Sequence, residues 1–185
     1  MKKNDHMQTL LSCPANRKER GEWVELLFMA AAARRGLKVV RPHGDSARFD
    51  VIVAAGGALH RVQVRSTTSR SGRFYRCCCS FPLLKPSVNG RLRRSMQRYS
   101  RQDIDFLAAY IIPDDAWFII PVIAITAKTI LLPTPAYCGR SRYTLFLDAW
   151  HLLGASPARL LTIHASAERK CLRYDTVPGA TSNAQ

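Results

Sequence analysis

Between Val51 and Gln102 the chain contains no aspartate and no glutamate. Other absences narrow its function further. No apolar run approaches the ~18 residues that a membrane-spanning helix needs. Met1-Lys2-Lys3-Asn4-Asp5-His6 leads into no apolar core of the kind a secretory signal carries. The expectation is a cytoplasmic, nucleoid-associated protein with no membrane partner. The six cysteines form no CxxC pair, which removes the common zinc spacings. Cys77, Cys78 and Cys79 are consecutive, so in a strand their thiols alternate between faces and close no tetrahedral site. A buried strand of small hydrophobes suits them better. Without an export signal, a disulfide framework is not expected.

What the acid-free stretch does contain is Arg61, Arg65, Arg70, Arg73, Arg76, Lys85, Arg91, Arg93, Arg94, Arg98 and Arg101. These eleven supply most of the formal net charge of +15, the balance of 28 Lys+Arg over 13 Asp+Glu. A solvated face or a flexible basic loop is the plain account of such a run. Here it is rich in arginine and interleaved with Phe74, Tyr75, Phe81 and Tyr99, a mixture that can fork onto phosphates and stack on bases. Arg70, Arg73, Arg91, Arg93, Arg94 and Arg98 are therefore the candidate nucleic-acid contacts. The 185 residues, 47% of them hydrophobic, suit one packed domain with tails.

Residues 1–15 read as a flexible arm, 16–153 as the domain and 154–185 as a disordered tail. Asn16 followed by Glu19 has capping-box spacing, and the helix it opens runs to the stop at Gly36, behind Arg34-Arg35. Leu37 to Arg41 reads as a strand. Phe49 to Val53 and Leu59 to Arg65 read as a hairpin across Gly56-Gly57. Phe74 to Phe81 reads as a further strand, and 82–102 as a basic connection, partly helical after Asn89. A second hairpin joins Ile104–Ile112 to Trp117–Val122, with Pro121 marking a strand end or a sheet edge. Tyr143 to Leu153 reads as a closing helix.

With Gly56 and Gly57 as the loop, paired residue numbers sum to 113, so Asp50 faces Gln63. Cross-strand Cβ atoms in such a pair lie about 4.5–5.5 Å apart, and alternation puts Arg65 on the face of Gln63. A structural ion pair between Asp50 and Arg65, with Gln63 exposed, accounts for this pattern equally well. The upstream helix adds Glu22 and Glu25 on one face. Asp50, a helix glutamate, the Gln63 oxygen and a strand carbonyl make an oxygen-rich set of the kind Mg²⁺ or Mn²⁺ takes. Such an ion promotes phosphodiester hydrolysis.

This order of elements resembles the PD-(D/E)XK nuclease superfamily, most nearly its group I intron-associated, homing-endonuclease-like branch, and more distantly archaeal Holliday junction resolvases. Gly21-Glu22-Trp23-Val24-Glu25 is similar to the opening helix. Gly44-Asp45-Ser46-Ala47-Arg48-Phe49-Asp50 is similar to the approach to the metal aspartate. Gln63-Val64-Arg65 stands where the family has Gln-x-Lys or Glu-x-Lys. Ile104 to Tyr110, Trp117 to Val122 and Tyr143 to Leu152 resemble later segments, so the resemblance covers roughly 17–153.

The resemblance implies an α/β, restriction-endonuclease-like mixed β-sheet flanked by helices. It also implies a Mg²⁺- or Mn²⁺-dependent DNA endonuclease. One such site cuts one strand, so a double-strand break would call for a homo-oligomer (dimer or tetramer), which the sequence itself does not show. Asp50 and Gln63 would be metal ligands, Glu25 would assist from the helix with Glu22 as its rival, and Arg65 would occupy the catalytic lysine position. Arginine cannot serve as a general base, but it can stabilise transition-state charge. The Arg65 departure also suits a catalytically inactive nucleic-acid-binding protein that keeps the fold, and the basic stretch suits structured RNA. His43 and Asp45 lie before the site, where Asp45 more simply stabilises its own turn.

Overall fold

The computed structural model describes residues 13–44, 46–86, 89, 91–137 and 141–154. Most of the expected N-terminal arm and C-terminal tail, and Asp45 with its turn, lie outside the described residues. The single α-helix among these residues is α1 (Arg17–Ala33). Asn16 caps it by accepting the Lys18 N–H at 2.9 Å. Gly36, at a φ of 75°, turns the chain out of the helix, and Arg35 returns a guanidinium to the Ala31 carbonyl at 2.9 Å.

The central sheet has five strands in the order β1-β2-β3-β8-β9. They are β1 (Lys38–Val40), β2 (Val51–Ala55), β3 (Ala58–Thr67), β8 (Phe106–Ile111) and β9 (Ala116–Pro121). All pairings are antiparallel except β3 with β8, which is parallel. The β2–β3 register sums to 113, as Val51 opposite Val62 shows. Gly56 and Gly57 both take positive φ, 56° and 79°, the backbone that a tight two-residue hairpin turn requires. Pro121 ends β9, an edge strand. Leu147 bridges to Phe118 on that strand, and the Asp148 N–H donates to the Trp117 carbonyl at 2.7 Å, which covers the edge.

Helix α1 buries Val24, Phe28 and Ala32, spaced four apart, against the sheet. Phe28 stacks on Trp150 at 5.4 Å and tilts against Trp117 at 5.6 Å. Every residue of β8 and β9 is buried, so the core centres on this pair and α1.

Three segments differ from the sequence reading. Residues 82–102 hold no helix among the described residues. A strand break at Cys79 divides the expected Phe74–Phe81 strand into β5 (Phe74–Cys78) and β6 (Ser80–Pro86), and β6 pairs antiparallel with β7 (Leu92–Arg98) in a separate two-stranded ribbon. Cys77 and Cys79 are buried while Cys78 is exposed, as alternation demands. The closing helix over Tyr143–Leu153 is instead two 3-10 turns, Arg142–Phe146 and Trp150–Gly154. Asp148 at a φ of 47° separates them. The sequence reading also passed over β4 (Arg70–Ser71) and β10 (Thr129–Pro133), which flank β5 in a small antiparallel sheet.

Candidate active site

Strand β3 has ten residues and β2 only five, so β3 runs on past the point where β2 begins. Asp50 sits at that point. Its N–H donates to the Val62 carbonyl at 2.9 Å, continuing the ladder by one bond. Its Oδ2 then accepts the Val64 N–H at 2.8 Å, a donor for which β2 has no residue left. The same oxygen accepts Nε2 of Gln63, which is buried. The Asp50 carboxylate thus completes the sheet edge and is fixed by it. Burial pushes its pKa up, while the Val64 N–H, Arg65 and Arg41 pull it down with a smaller effect.

Glu25 lies one residue beyond buried Val24, at the margin of the packed face of α1, and Glu22 is exposed. Of the two, Glu25 lines a cleft of about 290 Å³ together with Asp50, Arg41, Pro42, Gly44, Ala47 and Phe49. Its Oε2 pairs with Arg41 Nη2 at 3.1 Å. Its pKa is raised to about 7, first by burial and next by the negative charge of Asp50, with Arg41 opposing. His43 is exposed and lies outside the lining.

Arg65 does not form the ion pair with Asp50 considered from sequence. Its Nη2 donates to the Tyr99 hydroxyl at 2.6 Å, and it acts on Asp50 through space. Burial works against its charge, yet Tyr99 and Asp50 hold its pKa above the ordinary value. Its Nε is buried with no hydrogen-bond partner, an unusual state for a guanidinium donor.

The structure brings Glu25, Asp50 and Gln63 together, with Arg65 behind them. Two cleft neighbours were missed from sequence, Arg41 and Tyr99. The β1–β2 pairs sum to 92, which places Pro42 across from Asp50 and Arg41 beside it, but the connection through 41–50 holds no tight turn from which that register could be counted. Tyr99 was read only among the aromatics of the basic stretch. The candidate DNA contacts separate into two groups. Arg91, Arg93 and Arg94 are exposed on and beside the ribbon. Arg70 bonds the Gly72 carbonyl at 3.0 Å, Arg98 bonds the Ile125 carbonyl at 3.0 Å, and Arg73 lies over Tyr137.

Among the described residues no group of three or more His, Cys, Asp or Glu side chains could hold a metal. The cleft offers two carboxylates, Glu25 and Asp50, and the buried Gln63 amide bonds the second of them from below the lining. That set still fits a hard divalent cation. The charge of Asp50 raises the pKa of Glu25 in the shared cleft, a cation would relieve that repulsion, and a half-turn of the Gln63 amide would present an oxygen in place of Nε2.

A mixed sheet with a carboxylate at the start of one strand and Gln-x-Arg on the next defines a restriction-endonuclease-like nuclease fold. Residues 15–153 match the PD-(D/E)XK endonuclease family model, and the chain belongs to that family. It is similar to the solved bacterial homing endonuclease I-Ssp6803I, with 23% identity and a TM-score of 0.65, over 76% of this chain and 94% of that one. A Holliday junction resolvase, Hjc from Archaeoglobus fulgidus, aligns over the same shares at 15% identity with a TM-score of 0.36. No curated protein matches the chain in sequence.

Proposed function

We propose that the protein is a metal-dependent DNA endonuclease that hydrolyses phosphodiester bonds. The observation that carries this reading is the shared cleft of Glu25 and Asp50, two carboxylates held at a neutralisation cost. Glu25, Asp50 and Gln63 would hold Mg²⁺ or Mn²⁺. Such an ion supplies polarisation of the phosphate and a water acidified towards neutral pH. The Val64 N–H fixes the orientation of Asp50. Arg65, anchored on Tyr99, contributes positive charge where the transition state gains negative charge, and takes no proton. Arg41, once released from Glu25, is placed to neutralise the incoming phosphate. One cleft cuts one strand, so a double-strand break would require a homo-oligomer. Action on DNA would place the protein at the nucleoid. Among the described residues no helix is long and apolar enough to cross a membrane.

A second reading, a catalytically inactive nucleic-acid-binding protein of the same fold, draws support from Arg65 in the lysine position and from the Arg41–Glu25 pair. Plasmid nicking with Mg²⁺, Mn²⁺ or EDTA separates the two. The expected result is nicking that needs metal and falls at least a hundredfold in both Asp50→Ala and Asp50→Asn. The asparagine variant keeps an acceptor for the Val64 N–H and so controls for folding. DNA binding without nicking by the wild type would favour the second reading, and nicking that survives both variants would overturn the site.

A further inference from the structure

The β6–β7 ribbon joins exposed apolar side chains to a cluster of cations. Its register pairs Pro82 with Met96, Leu84 with Arg94 and Pro86 with Leu92. Strand alternation therefore places these six side chains on one face, and all six are exposed. Leu84 keeps 62% of its surface, Leu92 66% and Met96 40%. The opposite face turns Phe81 into the body, where it packs on Tyr99 at 5.1 Å. Among the described residues the ribbon pairs with no other strand. Its cations are Lys85, Arg93, Arg94 and Arg98, with Arg91 just before β7, and it has no acidic residue.

We infer that this ribbon enters the major groove of duplex DNA and reads it, with Leu84, Leu92 and Met96 against thymine methyl groups and Arg94 among them facing base edges. The major groove, about 12 Å wide, admits a two-stranded β-ribbon. Seven residues per strand give a reach of about 20 Å. Charge complementarity selects this occupant. A second copy docked face to face would set arginine against arginine. Pro82 and Pro86 also remove two donors from β6, which disfavours strand addition at that edge. The root of the ribbon adjoins the cleft, because Tyr99 directly follows β7 and holds Arg65. The bases read should therefore lie within about one helical turn, ~10 bp, of the cut.

The inference rests on the proposed function only in taking DNA as the ligand. Its test is metal-free: full-length wild type in EDTA selects from a pool of randomised duplexes, beside a Leu84→Ser, Leu92→Ser, Met96→Ser triple variant. Wild type should enrich a thymine-containing sequence, and uracil in place of each contacted thymine should weaken binding about fourfold, the worth of one buried methyl. The triple variant should bind the unselected pool within about twofold of wild type but show neither the enrichment nor the uracil effect. Enrichment that persists unchanged in the triple variant overturns the inference. So does a wild-type dimer that the triple variant dissociates, or tighter binding to anionic phospholipid vesicles than to DNA at equal salt. Preferential binding by a protein that never nicks DNA would keep the ribbon assignment and remove the catalytic one. Asp50-dependent nicking with a preference untouched in the triple variant would do the reverse.

Discussion

Glu25→Gln should make the metal-free protein more stable at pH 8 and change it little at pH 5. In the fold, burial and the charge of Asp50 raise the Glu25 pKa to about 7; in the unfolded chain it returns to about 4.3. Between those values the native state holds the proton more tightly, so wild-type stability falls as pH rises through the window. Glutamine has the shape of the neutral acid and escapes that fall. A displacement from about 4.5 to about 7 corresponds to roughly 3 kcal/mol, at about 1.36 kcal/mol for each tenfold change in proton affinity. The side chain keeps 19% of its surface in water, and solvent screening trims the gain to about 1–2 kcal/mol. Urea unfolding in EDTA at pH 5, 6.5 and 8 would read the difference, which should grow with pH and level off above 7. Millimolar Mg²⁺ at pH 8 should then stabilise the wild type more than the variant, since a cation replaces the missing proton. A variant less stable than wild type at pH 8 would refute the reasoning. It would mean that the 3.1 Å bond to Arg41 outweighs the burial of the charge, making Glu25 a structural partner rather than a carboxylate held in reserve for a ligand.

Two further perturbations probe the support of the site. Tyr99→Phe removes the acceptor of Arg65 Nη2 from a guanidinium whose Nε already lacks one; the nicking rate should fall about tenfold with the melting temperature nearly unchanged, and an unaltered rate would show that Arg65 needs no anchor. Phe28→Ala empties a fully buried position between Trp117 and Trp150 and should cost about 3–5 kcal/mol in urea unfolding, whereas a loss below about 1 kcal/mol would mean that the rings close over the gap.

Local signals strong enough to survive out of context were legible in the sequence. Asn16 and Gly36 bound the helix because a side-chain acceptor and a positive φ act on their immediate neighbours. The Gly56-Gly57 turn set the register that brings Asp50 to Gln63, because two residues at positive φ leave few ways to close a hairpin. No such turn joins β1 to β2, which residues 41–50 connect, so the register that brings Arg41 to the cleft could not be counted in the same way. The choice between Glu22 and Glu25 was not legible, since both fall on one helical face. The lie of α1 on the sheet, with Val24, Phe28 and Ala32 buried, puts Glu25 and not Glu22 in the cleft lining beside Asp50. The segment after Asn89 misled for a physical reason. A run of Arg, Leu, Met and Gln leans locally towards helix, and pairing with β6 overrides that lean. The turns at 142–154 likewise depend on Phe146 and Trp150 finding the core rather than on any helical repeat.

The positive charge, concentrated in the sequence between Val51 and Gln102, is divided by the fold into two uses. Arg61 is committed to structure: its guanidinium holds Asp105 at 3.0 and 3.1 Å and the Gln102 and Arg101 carbonyls at 2.6 and 2.7 Å. Asp105 answers in kind, because burial pushes its carboxyl up but the Arg61 bonds outweigh that and leave its pKa lowered. Arg48 stacks on Phe81 at 3.9 Å and reaches Asp103 at 3.5 Å, pinning the loop before Asp50 to the root of the ribbon. These arginines join the hairpin, the ribbon root and β8 around the cleft, and a phosphate could recruit them only by breaking the fold. Among the candidate DNA contacts, Arg91, Arg93 and Arg94 remain exposed, together with Lys85, on or beside the ribbon. Neutralising those four would therefore be expected to flatten the salt dependence of DNA binding, whereas the same change at Arg61 would register as lost stability before any loss of affinity. A net charge of +15 thus overstates the surface available to a polyanion, and it is the ribbon, adjoining Tyr99 and Arg65, that orients that surface towards the carboxylates.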